Sequence, residues 1–172
     1  MSVIAQTPRI IVREFLPEEK DLFFELMNDT RINYHLPKRN PEQIREVFIE
    51  TIADYLQGQK LTRWGIFDAL TGDFIGLGLL KYVPEEPHKA ELGYVLHLHY
   101  HGKGIATELS KALIVYGFDK MNLSEIFAVT THENIPSQRV LLKAGLTQGE
   151  HIIRSGLELS FFSISKRANL SQ

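Results

Sequence analysis

The run Glu91-Leu-Gly-Tyr-Val-Leu-His-Leu-His-Tyr-His-Gly-Lys-Gly-Ile-Ala-Thr107 passes from a strand pattern through a glycine-rich turn into a helix pattern, and this constrains the centre of the fold. After the turn, Ile105, Leu109, Ala112, Leu113 and Tyr116 recur at helical spacing. Residues 125–130 then form a short apolar run of strand type. A strand reached through a helical crossover lies parallel to the strand before it, so the unit is βαβ. Its turn suits a pyrophosphate. Glycines let the backbone approach a ligand closely, and the unpaired N–H groups of a helix start point at anionic oxygens.

The rest of the chain supplies elements to surround that unit. Residues 9–15 read as a first strand, and Pro17 stands where a first helical residue would, ahead of Leu22, Phe23, Leu26 and Met27 at helical spacing. A second helix opens at Asn40-Pro41-Glu42-Gln43, which has the form of an N-cap, an N1 proline and a capping-box glutamine. Its apolar face is Ile44, Val47, Phe48 and Tyr55, and Gly58 is its expected stop. Trp64, Ile66 and Phe67 precede the turn signal Leu70-Thr-Gly-Asp73, and residues 74–82 continue as a second strand of an antiparallel hairpin. Beyond the turn-rich Val83-Pro-Glu-Glu-Pro-His88, a strand is expected over about residues 89–98. A short helix over about residues 137–144 ends at Gly145, and strand-like runs near residues 146–153 and 157–164 close the chain. Phe23, Phe24, Phe48, Trp64, Phe67 and Phe118 read as core side chains.

Size and composition restrict what this assembly can do. A chain of 172 residues with 44% hydrophobic content buries a substantial core, and residues 1–172 read as one domain. A formal net charge of -2 argues against a general polyanion binder, so no nucleic-acid partner is expected. No stretch has the apolar length of a membrane span, and the start Met-Ser-Val-Ile-Ala-Gln lacks the features of a signal peptide. The expectation is a cytoplasmic protein with no membrane partner. The absence of cysteine excludes disulfides, thiolate metal sites and a cysteine-acyl intermediate. The Gly-x-x-x-x-Gly-Lys-Ser/Thr spacing of a nucleoside-triphosphate loop is also missing.

The order strand, two helices, hairpin, strand, glycine turn, helix, strand, helix, strands resembles the GNAT superfamily of acyl-CoA-dependent N-acetyltransferases over nearly the whole chain. The family's turn motif, Gln or Arg followed by x-x-Gly-x-Gly/Ala, is matched by His101-Gly-Lys-Gly104-Ile-Ala106. Glu91-Leu-Gly-Tyr94 with Gly102-Lys-Gly-Ile-Ala-Thr-Glu108 is similar to the ribosomal-protein N-acetyltransferase branch, RimJ/RimL-like. Asn134-Ile-Pro-Ser137-Gln-Arg-Val-Leu-Leu-Lys-Ala-Gly145-Leu146 matches that branch's downstream element. The resemblance implies an α+β fold, a three-layer α/β/α sandwich whose mixed, mostly antiparallel sheet splays at an acetyl-CoA site. It further implies acetyl-CoA as co-substrate and transfer of the acetyl group to a primary amine by direct attack in a ternary complex. Tyr94, Val95 and Leu96 would carry main-chain contacts to the pantetheine arm, as a peptide adds to a sheet edge. The backbone of Gly102, Lys103, Gly104, Ile105, Ala106 and Thr107 would hold the pyrophosphate, with the Lys103 cation and the Thr107 hydroxyl beside it. His101 departs from the family's Gln or Arg and carries charge only near or below roughly pH 6.5.

Several side chains admit two readings. Asn134 is a favoured helix cap on structural grounds and a coenzyme A contact by resemblance, and Ser137 is either a first-turn residue or the donor that protonates the departing thiolate. Strand alternation puts Glu91, Gly93 and Val95 on one face, where Glu91 between apolar neighbours is the first candidate for general base. Glu158 and His151 are the reserves. His97, His99 and His101 alternate as metal ligands on a strand would, but no carboxylate accompanies them and no metal is expected. The branch resemblance favours a protein N-terminal amine as acceptor. A small amine (amino acid, polyamine or antibiotic) is the alternative, and a non-catalytic acyl-CoA sensor is a reading of a different class. A homodimer is compatible with all three.

Overall fold

The computed structural model describes residues 1–167. Among them the elements follow the order β1 (Val3–Gln6), β2 (Ile10–Arg13), α1 (Lys20–Asn28), α2 (Pro41–Leu56), β3 (Arg63–Asp68), β4 (Phe74–Tyr82), β5 (Lys89–Leu96), α3 (Ile105–Asp119), β6 (Glu125–Thr130), α4 (Ile135–Lys143), β7 (Thr147–Gln148), β8 (Ile152–Arg154) and β9 (Leu157–Ser165). The strands lie in the spatial order β1-β2-β3-β4-β5-β6-β9-β7, with β8 paired to β9. Every pairing is antiparallel except β5 with β6, as the crossover through α3 requires. No helix among the described residues is long and apolar enough to cross a membrane.

Local chemistry sets the helix ends. Asn40 Oδ1 accepts the Gln43 N–H at 2.8 Å while Gln43 Oε1 accepts the Asn40 N–H at 2.9 Å, so the reciprocal cap starts α2 where the motif placed it. The side chain of Asn134 accepts from the Ser137 N–H and begins α4 at Ile135, two residues ahead of the sequence expectation.

Two apolar layers enclose the sheet. Leu80, Ala90, Leu92 and Ile126 pack on one face with Leu109 and Leu113 of α3 and Leu141 of α4. Leu77 of β4 packs on the other with Phe23 and Leu26 of α1, Ile44 and Phe48 of α2, and Phe15. Phe15 anchors this second layer, its ring centroid 5.8 Å from both Phe23 and Phe48 in edge-on contact. Phe23, Phe48, Trp64 and Phe67 are buried, as expected of core aromatics, while Phe24 and Phe118 pack at the margins. The result is the three-layer α/β/α arrangement of a GNAT-like fold.

Three details differ from the sequence expectation. The N-terminal segment adds β1 to the edge of β2. The strand expected over residues 89–98 stops at Leu96, because Leu98–Tyr100 turn into a 3-10 helix. The closing run 146–153 divides into β7 and β8, separated at Gly149, where a Cβ would stand 3.1 Å from the Phe161 ring.

Candidate acyl-transfer site

The sheet opens at the one parallel pair among the described residues. β5 is matched to β4 from Ala90 to Leu96, but it meets β6 only through Lys89, Ala90 and Glu91, opposite Glu125, Ile126 and Phe127. β6 continues to Thr130 along β9. Residues 92–96 therefore present an edge with no ladder to β6, and Tyr94, Val95 and Leu96 lie on it. An extended amide chain can hydrogen-bond to such an edge as an added strand. Gly76 shapes the opening: a Cβ there would lie 2.2 Å from the Val95 carbonyl oxygen and 2.9 Å from the Leu96 Cα, so only glycine lets β5 fold so tightly over β4.

The glycine turn closes one end of the gap. Gly102 and Gly104 have φ of 71° and 76°, in the left-handed region, and Gly104 caps α3 with no side chain. The Glu108 N–H is the first to close a helical turn, onto the Gly104 carbonyl at 3.1 Å. Among the described residues no acceptor bonds the N–H groups of residues 103–107, so they form a positive concavity suited to phosphate. The Lys103 ammonium lies 5.8 Å from the centroid of the Tyr100 ring.

Two side chains brace this turn. His101 Nε2 lies 2.8 Å from the Leu96 carbonyl oxygen, and since a carbonyl only accepts, Nε2 carries the proton. A neutral imidazole suffices for this contact, so the ring ties the turn to the end of β5 without needing charge. Arg9 donates from Nη1 to the Lys103 carbonyl at 2.7 Å and from Nε to Glu108 Oε2 at 2.6 Å, while Thr7 Oγ1 also donates to Glu108. Burial pushes the Glu108 carboxyl up, but the bonds from Thr7 and Arg9 prevail and hold it below its ordinary value. Arg9 escaped the sequence reading because its partners lie about a hundred residues away and a lone arginine at a strand start carries no pattern.

At the other side of the gap, the Tyr94 hydroxyl donates to Ser137 Oγ at 3.2 Å and joins β5 to the first turn of α4. Asn134 Oδ1 accepts the Ser137 N–H at 3.3 Å, so the capping reading of Asn134 is realised. Burial pushes the Tyr94 phenol above its ordinary value, partly offset by the bond to Ser137. Because Ser137 Oγ accepts from Tyr94, its own proton is directed elsewhere.

The surroundings of Glu91 differ from the apolar setting expected of it. Arg154 of β8 binds both carboxylate oxygens, Nη1 to Oε1 at 2.8 Å and Nη2 to Oε2 at 3.1 Å. The two residues are 63 apart in sequence, beyond the reach of strand periodicity. His151 Nδ1 stands 3.3 Å from Glu158 Oε1, so the two reserve groups are neighbours, and His132 joins them. His97, His99 and His101 do not converge: the first lies edge-on to Phe74, the second beside Tyr100, and the third on Leu96. Burial pushes His97 below its ordinary value, against the opposing pull of Asp29 and Glu25. The segment 30–40 reaches the end of β6, where His35 Nδ1 lies 2.9 Å from Thr131 Oγ1.

A sheet that splays beside a helix start lined with free N–H groups defines an acyltransferase working on a coenzyme A thioester. The Acetyltransferase (GNAT) domain model matches residues 9–147, and the chain belongs to the GNAT acetyltransferase family. It is 30% identical over 156 residues to a Bacillus subtilis protein described as an uncharacterized N-acetyltransferase, YoaA, covering 90% of this chain and 88% of that one. Its fold is similar to that of a ribosomal-protein-S5-alanine acetyltransferase from Vibrio fischeri, with a TM-score of 0.78, 18% identity, and coverage of 93% and 94% of the two chains. A spermidine N-acetyltransferase from Vibrio cholerae, in complex with CoA and spermine, shares the fold with a TM-score of 0.77, 19% identity, and coverage of 92% and 96%. N-acetyltransferase activity follows from the family match, and GNAT enzymes draw their acetyl group from acetyl-CoA.

Proposed function

We propose that this N-acetyltransferase acts on a protein N-terminal amine, by direct attack within a ternary complex, using the splayed edge of β5 and the Tyr94–Ser137 pair. The observation that carries the catalytic reading is the 3.2 Å bond from the Tyr94 hydroxyl to Ser137 Oγ, which crosses the gap where a thioester would lie along β5. The backbone of Tyr94, Val95 and Leu96 holds the pantetheine arm. The N–H groups from Gly102 to Thr107, with the Lys103 cation, hold the pyrophosphate, and the Asn134 side chain is a further coenzyme A contact. His101 keeps the turn closed on β5. Acetyl-CoA supplies an activated acyl group and a thiolate leaving group; Ser137 gives that thiolate its proton, and Tyr94 replaces it on Ser137.

Glu91 takes the proton from the acceptor ammonium, directly or through water, and the neutral amine then attacks the thioester carbonyl. Arg154 occupies one lone pair on each of its oxygens and fixes the carboxylate in place, leaving the second lone pairs to accept. Glu158 and His151 remain the next candidates.

The rim supports a peptide acceptor. Tyr34 on segment 30–40 and Leu157, the cross-strand partner of the Arg154 that holds Glu91, are exposed apolar side chains, which suit a chain ligand better than a small polycation. The small-amine reading draws on Glu25 and Asp29, whose charges reach His97, because a cationic substrate favours such acidic groups. Thiol release from acetyl-CoA, measured against N-terminal peptides and small amines with calorimetry of coenzyme A binding in parallel, separates the readings. Release with peptides alone supports the proposal, and release with polyamines alone replaces its acceptor. Tight binding without release for any amine would favour a sensor.

A further inference from the structure

We propose that His132, His151 and Glu158 form a binding site for a divalent transition-metal cation of the zinc type, joining the end of β6 to the β8–β9 hairpin. The three side chains come from separate segments, yet each offers a ligand atom and all these atoms lie within 4.8 Å of one another. His132 Nε2 is 3.7 Å from Glu158 Oε2, and His151 Nδ1 is 3.3 Å from Glu158 Oε1. In a tetrahedral site with bonds of about 2.0–2.1 Å the ligand atoms stand roughly 3.4 Å apart. The two separations, each to a different oxygen of Glu158, are close to that, and one ligand atom from each of the three residues lies within 4.8 Å of the others.

Proximity alone would describe an ordinary surface ion pair; the state of His132 argues for more. Its Nε2 is buried, and among the described residues it has no hydrogen-bond partner. Its Nδ1 lies 2.7 Å from Ser160 Oγ, a residue only 2% exposed. When Nδ1 donates to that hydroxyl, Nε2 presents a lone pair toward the Glu158 carboxylate. Two electron-rich groups facing each other across 3.7 Å call for a positive charge between them. A metal ion satisfies both at once, and the bond to Ser160 is the outer contact that typically fixes the tautomer of a metal-bound histidine. The imidazole rings of His132 and His151 are tilted, with centroids 4.3 Å apart. Two imidazoles and one carboxylate match the preferences of Zn²⁺ and Co²⁺ and leave a fourth position for water. The bound ion would clamp the hairpin that carries Arg154 to Glu91.

The test is titration of tag-free protein, first dialysed against chelator, with Zn²⁺ by calorimetry and with Co²⁺ by visible absorption. One equivalent of each is expected, with the intense visible bands of four-coordinate Co²⁺. H151A and E158Q should each weaken binding by at least about 10–100-fold, while H88A, at an exposed histidine outside the cluster, should leave it unchanged. Thermal unfolding supplies a second reading: Zn²⁺ should raise the midpoint of the wild type and not that of H151A. Absence of stoichiometric binding, or binding unaltered in both H151A and E158Q, would overturn the proposal.

Discussion

Ser137 and Gly76 show how differently single residues can matter at one site. In the proposed mechanism Ser137 matters for its proton. The Ser137→Ala variant is predicted to lose about 10²–10⁴-fold in kcat, the range of a general acid, with coenzyme A affinity by calorimetry unchanged. Tyr94→Phe removes only the group that orients and recharges Ser137, so its loss should be smaller, about 3–10-fold, the value of one hydrogen bond. Equal, negligible losses in both variants would remove the pair from the mechanism. Gly76 is valued for what it lacks. The two nearest atoms that a Cβ would meet belong to the backbone of Val95 and Leu96, which cannot swing aside as a side chain tip would. Gly76→Ala should therefore cost about 1–3 kcal/mol of stability in denaturant titration and weaken coenzyme A binding, since relief comes only by shifting the splayed edge. Unaltered binding in a folded Gly76→Ala protein would show that the edge tolerates the shift.

Elements place these residues through contacts that sequence patterns do not carry. The turn between β1 and β2 delivers Arg9 to the Lys103 carbonyl and Glu108, so a strand at the sheet's far edge holds the phosphate turn in shape. Arg9→Ala should raise the KM for acetyl-CoA by about tenfold with kcat at saturation nearly unchanged, because it loosens ground-state binding rather than the chemistry. A fall in kcat alone would assign Arg9 another part. The glycine turn, the Asn40 and Asn134 caps, the β3–β4 hairpin and the parallel return of β6 were all legible, because each depends on neighbours within a few residues. β1 was missed because a short, half-exposed edge strand has little periodicity and takes its register from β2. The Tyr94–Ser137 bond, the hold of Arg154 on Glu91 and the meeting of His132 with Glu158 join distant segments. Tyr94, Ser137, Glu91 and Glu158 stood out as candidates by residue type while Arg154 and His132 did not, and only packing makes them partners. For His101 the letters gave no sign of its bond to the Leu96 carbonyl, which joins the turn to the end of β5.

For the whole molecule, the balance of ion pairs and buried groups dictates how stability responds to acid. Burial opposes the charge of Glu19, but two bonds from Arg13 at 2.9 and 2.7 Å and one from the Leu16 N–H outweigh it and hold its carboxyl below the ordinary 4.5. Glu108 is lowered in the same way by Thr7 and Arg9. Both groups bind a proton more readily in the unfolded chain, so their stabilisation is complete above pH 4.5 and disappears as pH falls through their lower folded values. His97 shifts in the same direction for another reason: burial favours its neutral form, so on acidification from 6.5 the unfolded chain takes up the proton first. Asp29, pulled down to about 2 by Arg31, contributes little because the Arg31 side chain stands in solvent, where screening weakens the pair. Urea midpoints should therefore decline in two stages, a shallow one beginning near the ordinary histidine value and a steeper one below the ordinary glutamate value. H97Q should flatten the first stage, and E19Q should lower stability at neutral pH while reducing the second. A midpoint that rose on acidification between pH 6.5 and 5, windows set by these shifts, would mean that His97 gains a charged partner in the fold instead of losing water.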